Sequence, residues 1–265
     1  MTQPAKKIRR FSDLSDRLLK AIEALAGMKM RALGEIAYFG EAYPFWCAES
    51  DGGFGKKQIC LSGGIHGDEP AGVEAVQQWL AALAKKQDLL DRFQFTVFPC
   101  INPFGYEYNT RENGAQVDLN REFDKKSPQS EVRFLKEAIA GRRFDFAYEC
   151  HEDLDSQGYY LYEMARNGRK PIGAAIIERI EKICPINKAD AIEEMPARGG
   201  VISTPTQMDA DFLARLEQRG GWPQTLYLSA QGSDLCITAE TPTRLAMQQR
   251  VDAHLLAFET ALNLI

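Results

Sequence analysis

KQICLSGGIHGDE, residues 57–69, is the stretch on which the fold turns. Lys57 to Gly63 is a β-rich run closing on two glycines, and Val73, Val76, Leu80 and Leu83 then recur at the spacing of one helical face. The stretch reads as a strand, a tight loop and a helix over 69–86. His66 and Glu69 stand on that loop in an HxxE spacing, and Gly63, Gly64 and Gly67 let both side chains turn toward one point. Strand ends are where open α/β sheets build their ligand crevices.

Upstream, EIAYF and YPFWCAES read as further strands, and a glycine-bearing turn, DGGFG at 51–55, separates the second from KQICLSG. Before them, residues 11–27 carry Leu14, Leu18, Ile22 and Leu25 at helical spacing, with Ser12 or Asp13 as cap and Gly27 as stop. Downstream, FQFTVFPCI (93–101) is a strand and SPQSEVRFLKEAI (127–139) a helix. FDFAYECH is a strand ending at His151, and GYYLYEM (158–164) is its neighbour. TLYLSA and DLCITAE read as closing strands before a last helix striped by Met247, Val251, Leu255, Phe258 and Leu262. This alternation predicts a single α/β domain, a central mixed β-sheet flanked by helices on both faces. Residues 1–30 form an N-terminal tail and helix packed on a catalytic domain of 31–265. Segment 186–206, with Gly199 and Gly200, lacks sustained periodicity and reads as the most mobile part of the chain.

The 265 residues are 45% hydrophobic and 26% charged, which excludes a disordered or fibrous chain. Thirty-two basic against 37 acidic side chains leave a net charge of −5, too few cations for a nonspecific grip on nucleic acid. No apolar run approaches the roughly 20 residues of a membrane span. Lys6, Lys7, Arg9 and Arg10 precede an amphipathic stretch rather than an apolar signal core, so they read as a solvated tail and not a secretion signal. Cysteines 47, 60, 100, 150, 184 and 236 lie far apart with no CxxC, which predicts buried free thiols and a cytoplasmic location.

A lone HxxE is weak, because His and Glu near a helix start commonly cap it or lie at the surface. Joined to a distant second histidine at a strand end, His151, it makes a catalytic zinc set with a fourth position open for water. The remaining histidine, His254, sits on or beside the buried stripe of the last helix and reads as a core residue rather than a ligand.

The set GGIHGDE (63–69), INPFG (101–105), Arg111, DLNREF (118–123), His151 and a late Glu240 in CITAETPT resembles the zinc metallocarboxypeptidases. That family is carboxypeptidase A-like and related to succinylglutamate desuccinylase and aspartoacylase, and the resemblance runs from about Gly63 to Thr241. It implies one zinc ion on His66, Glu69 and His151, with Glu240 as the general base that takes a proton from the attacking water. It implies that Arg111 stabilises the oxyanion, that Asn120 and Arg121 grip the substrate's free carboxylate, and that Asn102, Pro103 and Gly105 shape the chain. Taken singly, Arg111 and Arg121 also read as surface ion-pair residues and Asn120 as a turn residue. Glu240 also reads as a cap ahead of a helix starting at Thr241–Pro242, and Asp118 as either a partner for a ligand histidine or a turn former.

Two features depart from the family pattern. The substrate-closing tyrosine has no clear counterpart, the one late candidate being Tyr227, in what reads as a strand. The acidic Glu152, Asp153 and Asp155 follow His151, either as a solvated loop or as a preference for basic side chains or a second cation.

The resemblance implies a cytosolic zinc-dependent metallocarboxypeptidase hydrolysing the C-terminal amide bond of a peptide. The alternative is an N-acyl amino acid deacylase of the succinylglutamate desuccinylase/aspartoacylase type, which SPQSEV faintly suggests. The short helical stretch after Glu240 leaves no room for the added C-terminal β domain of those deacylases. A noncatalytic zinc-binding protein is the third reading. Substrate preference falls to the loop 186–235, with Arg198, Met208 and Trp222 as candidate wall residues.

Overall fold

The computed structural model describes residues 6–205 and 209–265, so Met208 lies outside the described residues. Helix α1 (Phe11–Glu23) leads into a hairpin of β1 (Met28–Tyr38) and β2 (Glu41–Ser50). Then come β3 (Lys57–Gly63), α2 (Pro70–Leu83), α3 (Gln87–Arg92), β4 (Phe93–Phe98) and α4 (Pro103–Tyr108). A 3-10 turn, Leu119–Arg121, precedes α5 (Ser130–Ala138), β5 (Phe146–Asp153), β6 (Tyr160–Ala165) and α6 (Gly173–Ile180). The short strands β7 (Ala191–Ile192), β8 (Met195–Pro196) and β9 (Val201–Ser203) follow, and α7 (Ala210–Gln218), α8 (Gln224–Ala230), β10 (Leu235–Pro242) and α9 (Met247–Leu264) complete the domain.

Eight strands form one mixed sheet in the order β1-β2-β4-β3-β5-β10-β6-β9. Its middle, β4, β3, β5 and β10, is parallel; on one side β2 runs antiparallel to both β1 and β4, and on the other β6 runs antiparallel to β10 and parallel to β9. Side chains alternate across a strand, and β5 exploits this. Phe146 and Tyr148 pack against Phe258 of α9, with ring centroids 6.2 and 5.4 Å apart. Glu149 and His151 therefore face the other way, toward α8, whose Thr225 hydroxyl bonds the Thr238 hydroxyl of β10. The C-terminal ends of β3, β5 and β10 come together on that α8 face.

Several expectations need correction. TLYLSA is helix α8, not a strand. Its alternating leucines mimic a period of two, but Gln224, Thr225, Leu226, Leu228 and Ser229 are all buried as the short helix presses on the sheet. Residues 186–205 of the segment read as mobile contain the β7–β8 hairpin and β9, which pairs with β6; strands of two or three residues are too short to show a period. Arg10, not Ser12 or Asp13, precedes the first residue of α1; its own side chain makes no cap, and the Glu107 carboxylate accepts the Phe11 N–H at 3.2 Å instead. In α9 the buried line runs through Val251, Ala253, His254, Ala257, Phe258, Ala261 and Leu262, because alanines bring this helix close to α2. Met247 is 38% exposed.

Nor is the basic segment a free tail. Lys7 pairs with the buried Glu107 at 2.9 Å, and Arg9 donates to the Tyr106 carbonyl at 3.0 Å and the Asn109 side chain at 2.8 Å. All six cysteines are free and buried. Among the described residues no helix is long and apolar enough to cross a membrane.

Candidate active site

His66 stands on the loop after β3, which turns at Gly64 with φ +64°. A Cβ on Gly67 would overlap the backbone of Gly105, so the His66 loop rests directly on the turn made by Asn102–Gly105. That turn is held by the Asn102 side-chain carbonyl, which accepts the Gly105 N–H at 2.8 Å. GIHGDE and INPFG are thus two sides of one close backbone contact. Glu69 immediately precedes α2, and Pro70 at the first helical position suits that start.

Ligand atoms of His66, Glu69 and His151 all lie within 4.8 Å of one another, and all three residues are buried. His66 Nδ1 is 2.7 Å from Glu69 Oε1, and His151 Nδ1 is 3.0 Å from Glu69 Oε2. Burial alone would raise the Glu69 pKa, but the two imidazoles carry it well below the usual carboxylate range. In the opposite sense, burial opposes protonation of His151, yet the Glu69 charge raises its pKa. Two imidazole nitrogens and a carboxylate oxygen converging in a buried pocket are a donor set that fits a divalent transition metal, zinc above all.

Asp118 both contacts His66 and starts a turn. Its Oδ1 lies 3.1 Å from His66 Nε2 and also accepts the Asn120 N–H at 2.9 Å, which starts the 3-10 turn. Its Oδ2 accepts Arg111 Nε and Nη2 at 3.2 and 3.1 Å. Burial would raise this carboxyl, but His66 and Arg111 hold it well below the ordinary range. Arg111 is thereby fixed with Nη1 toward the donors, 3.4 Å from Glu69 Oε1.

Glu240 lies in β10, not at a helix start, since the strand runs on through Thr241 and Pro242. Its register partners are His151 on β5 and Tyr160 on β6, so the carboxylate sits between them on the α8 face. It is only partly exposed and is not one of the three converging donors. Burial raises its pKa; the His151 imidazole opposes this, and the Glu69 and Asp153 charges add to it.

Asn120 and Arg121 are held from behind. The Asn120 side-chain carbonyl accepts the Gln224 N–H. Arg121 donates from Nε to the Arg219 carbonyl at 2.9 Å and from Nη1 to the Asn120 carbonyl at 2.8 Å. Both residues line, with His66, Glu69, Arg111, His151 and Glu240, a single cleft of about 1400 Å³.

The cleft wall differs from the expectation. Arg198 and Trp222 are not in it; Glu193, Met195, Phe212, Arg215 and Arg219 are. Tyr227 is on α8 against the Phe123 ring, whereas Tyr160 and Tyr162 line the cleft. Their i, i+2 spacing in GYYLYEM was the available signal, since it puts both on the strand face shared with Glu240. The Tyr160 hydroxyl donates to Asp153 at 2.9 Å. Glu152 is no solvated loop residue: it is buried, accepts the Ala71 N–H at 2.6 Å and pairs with Arg250. Arg9, read as tail, also reaches the cleft.

A mixed α/β sheet with a His-Glu-His group at the ends of its parallel strands defines a carboxypeptidase-like scaffold able to hold a metal. Solved structures share that fold. A Shewanella baltica protein provisionally assigned as a metallopeptidase superposes with a TM-score of 0.76 at 23% identity, covering 96% of this chain and 91% of that one. A metallo-carboxypeptidase from Burkholderia cenocepacia gives 0.69 at 18% identity, covering 94% and 67%. A family model for the succinylglutamate desuccinylase/aspartoacylase catalytic domain matches residues 55–191, just over half of the chain, and the chain belongs to that family. Carboxypeptidase 2 of Trichophyton tonsurans is 35% identical over 101 residues, 37% of this chain and 19% of that one. The matched stretch thus spans about a fifth of such curated relatives.

Proposed function

We propose that the protein is a zinc-dependent carboxypeptidase that removes the C-terminal residue of a peptide. The observation that carries this reading is the position of Asn120 and Arg121. Each is held from behind by a backbone group of the loop and helix opposite, and each lines the same cleft as the metal-binding set. A guanidinium and an amide N–H2 so placed suit a free carboxylate. The cleft volume of about 1400 Å³ exceeds what a small N-acyl amino acid fills and accommodates a peptide.

His66, Glu69 and His151 would hold the metal, which when bound polarises a carbonyl and lowers the pKa of water. Glu240, with its raised proton affinity, takes the proton from the attacking water and delivers it to the leaving amine nitrogen. Arg111, braced by Asp118, presents Nη1 where negative charge develops on the scissile carbonyl oxygen. Six buried free thiols support a reducing compartment such as the cytoplasm.

The second reading, an N-acyl amino acid deacylase, is favoured by the family to which residues 55–191 match. The test is mass-spectrometric digestion of a pool of free-C-terminus peptides, their amidated twins and N-acyl amino acids, with and without a chelator. Loss of single C-terminal residues, blocked by amidation and by chelation, is the expected result. Turnover confined to N-acyl amino acids would replace the first reading with the second.

A further inference from the structure

Glu149 is the least satisfied polar side chain beneath the site. It is 2% exposed, and among the described residues neither carboxyl oxygen has a hydrogen-bond partner. A buried polar group without a partner is costly and calls for an explanation. The sheet register supplies the context. Glu149 lies two residues before His151 on β5, so both point to the α8 face, and its neighbours across the ladder are Ser62 on β3 and Thr238 on β10. Its Oε2 is 3.8 Å from His151 Nε2, just beyond hydrogen-bond reach.

The two histidines of the donor set are then arranged alike. In each, Nδ1 faces Glu69. In each, Nε2 faces a carboxylate from another position: Asp118 at 3.1 Å for His66, and Glu149 at 3.8 Å for His151. Ligand histidines commonly donate their second ring N–H to such an acceptor, which fixes tautomer and ring orientation.

We infer that Glu149 is the positioning residue for His151, accepting its Nε2–H and so aiming Nδ1 at the metal. The inference rests on the reading of His66, Glu69 and His151 as the metal ligands. It accounts for a carboxyl kept in the core with no other partner. It also separates Glu149 from Glu240, which lies on the same face of the sheet but opens to the cleft.

The test uses the metal alone as probe. Zn2+ affinity of the metal-free protein is measured by competition with a chromophoric chelator, and the visible spectrum of the Co2+-loaded protein is recorded for wild type, Glu149→Gln and Glu149→Leu. Both variants should stay folded in the metal-free state, read from a cooperative melt and an unchanged circular dichroism spectrum, because each replaces a buried carboxyl with a neutral side chain of similar size. Zn2+ affinity should fall about 10- to 100-fold in Glu149→Leu and less in Glu149→Gln, which keeps an acceptor oxygen. The Co2+ bands should shift in Glu149→Leu as the imidazole is released. Unchanged affinity and spectrum in both variants would overturn the inference while leaving the ligand assignment intact. A wild-type protein that takes up neither ion would overturn the ligand assignment, and this inference with it.

Discussion

The side-chain carbonyl of Asn120 accepts the backbone N–H of Gln224, the first residue of α8, at 2.9 Å. That single bond sets which way round the amide lies: its oxygen is turned to the helix, and its NH2 has no protein partner among the described residues. Asn120→Asp keeps the acceptor for Gln224 while replacing the free donor with a negative oxygen. KM for peptides with a free C-terminus should rise roughly 10- to 100-fold, the worth of a charge-assisted hydrogen bond. Discrimination against amidated peptides should shrink with it. Steady-state kinetics on paired free and amidated substrates measures both.

Glu240 stands outside the converging donor set, so removing its carboxylate separates proton transfer from metal binding. Glu240→Gln should lower kcat by about 100- to 10,000-fold, the span typical of general acid–base catalysis. Its zinc stoichiometry by elemental analysis should match that of wild type. A variant that retains turnover would remove Glu240 from the mechanism.

Metal removal should soften the fold without destroying it, because one continuous hydrophobic core runs through the sheet independently of the site. A ligand at 100 times its Kd stabilises by about 2.7 kcal/mol, which corresponds to roughly 5–10 °C in Tm for a domain of this size. Scanning fluorimetry with chelator and then with increasing zinc should trace that rise, and Glu69→Ala should abolish it.

The cysteines offer a check on packing that is independent of catalysis. Burial pushes the Cys47 thiol up to about 12 and raises Cys60, Cys100, Cys150 and Cys236 as well. A raised thiol pKa means that the protonated, unreactive form persists at pH 8. A thiol-specific chromogenic reagent at that pH should modify almost none of the six in the native protein and all six in guanidinium.

The parts of the protein legible in its sequence are those with a strong local signature. Val73, Val76, Leu80 and Leu83 mark a long helix by period alone, and the strands around Ile59, Phe95 and Tyr148 are apolar runs, the first closing at Gly63, the second at Pro99 and the third at His151. His66 and His151 stand out because histidine is scarce and both fall at strand ends. What escaped depends on distant partners. Thr225 to Ala230 is helical because the sheet beneath it must be covered, although its residues alternate like a strand. Arg9 reaches the cleft through Tyr106 and Asn109, a hundred positions away. Glu149 looks like any strand residue until the register sets it beside His151.

The course of α9 bears on how the protein can be handled. The helix begins at the cleft, where Met247 and Arg250 form part of the lining, and its 18 residues carry the chain about 27 Å away. The opposite holds for the N-terminal segment, which Arg9 fastens to the cleft wall. An affinity tag or fluorescent fusion placed ahead of Lys6 would start only a few residues from the mouth through which substrate enters. One attached beyond Leu264 begins at the remote end of the helix, so surface immobilisation there leaves the opening facing solution.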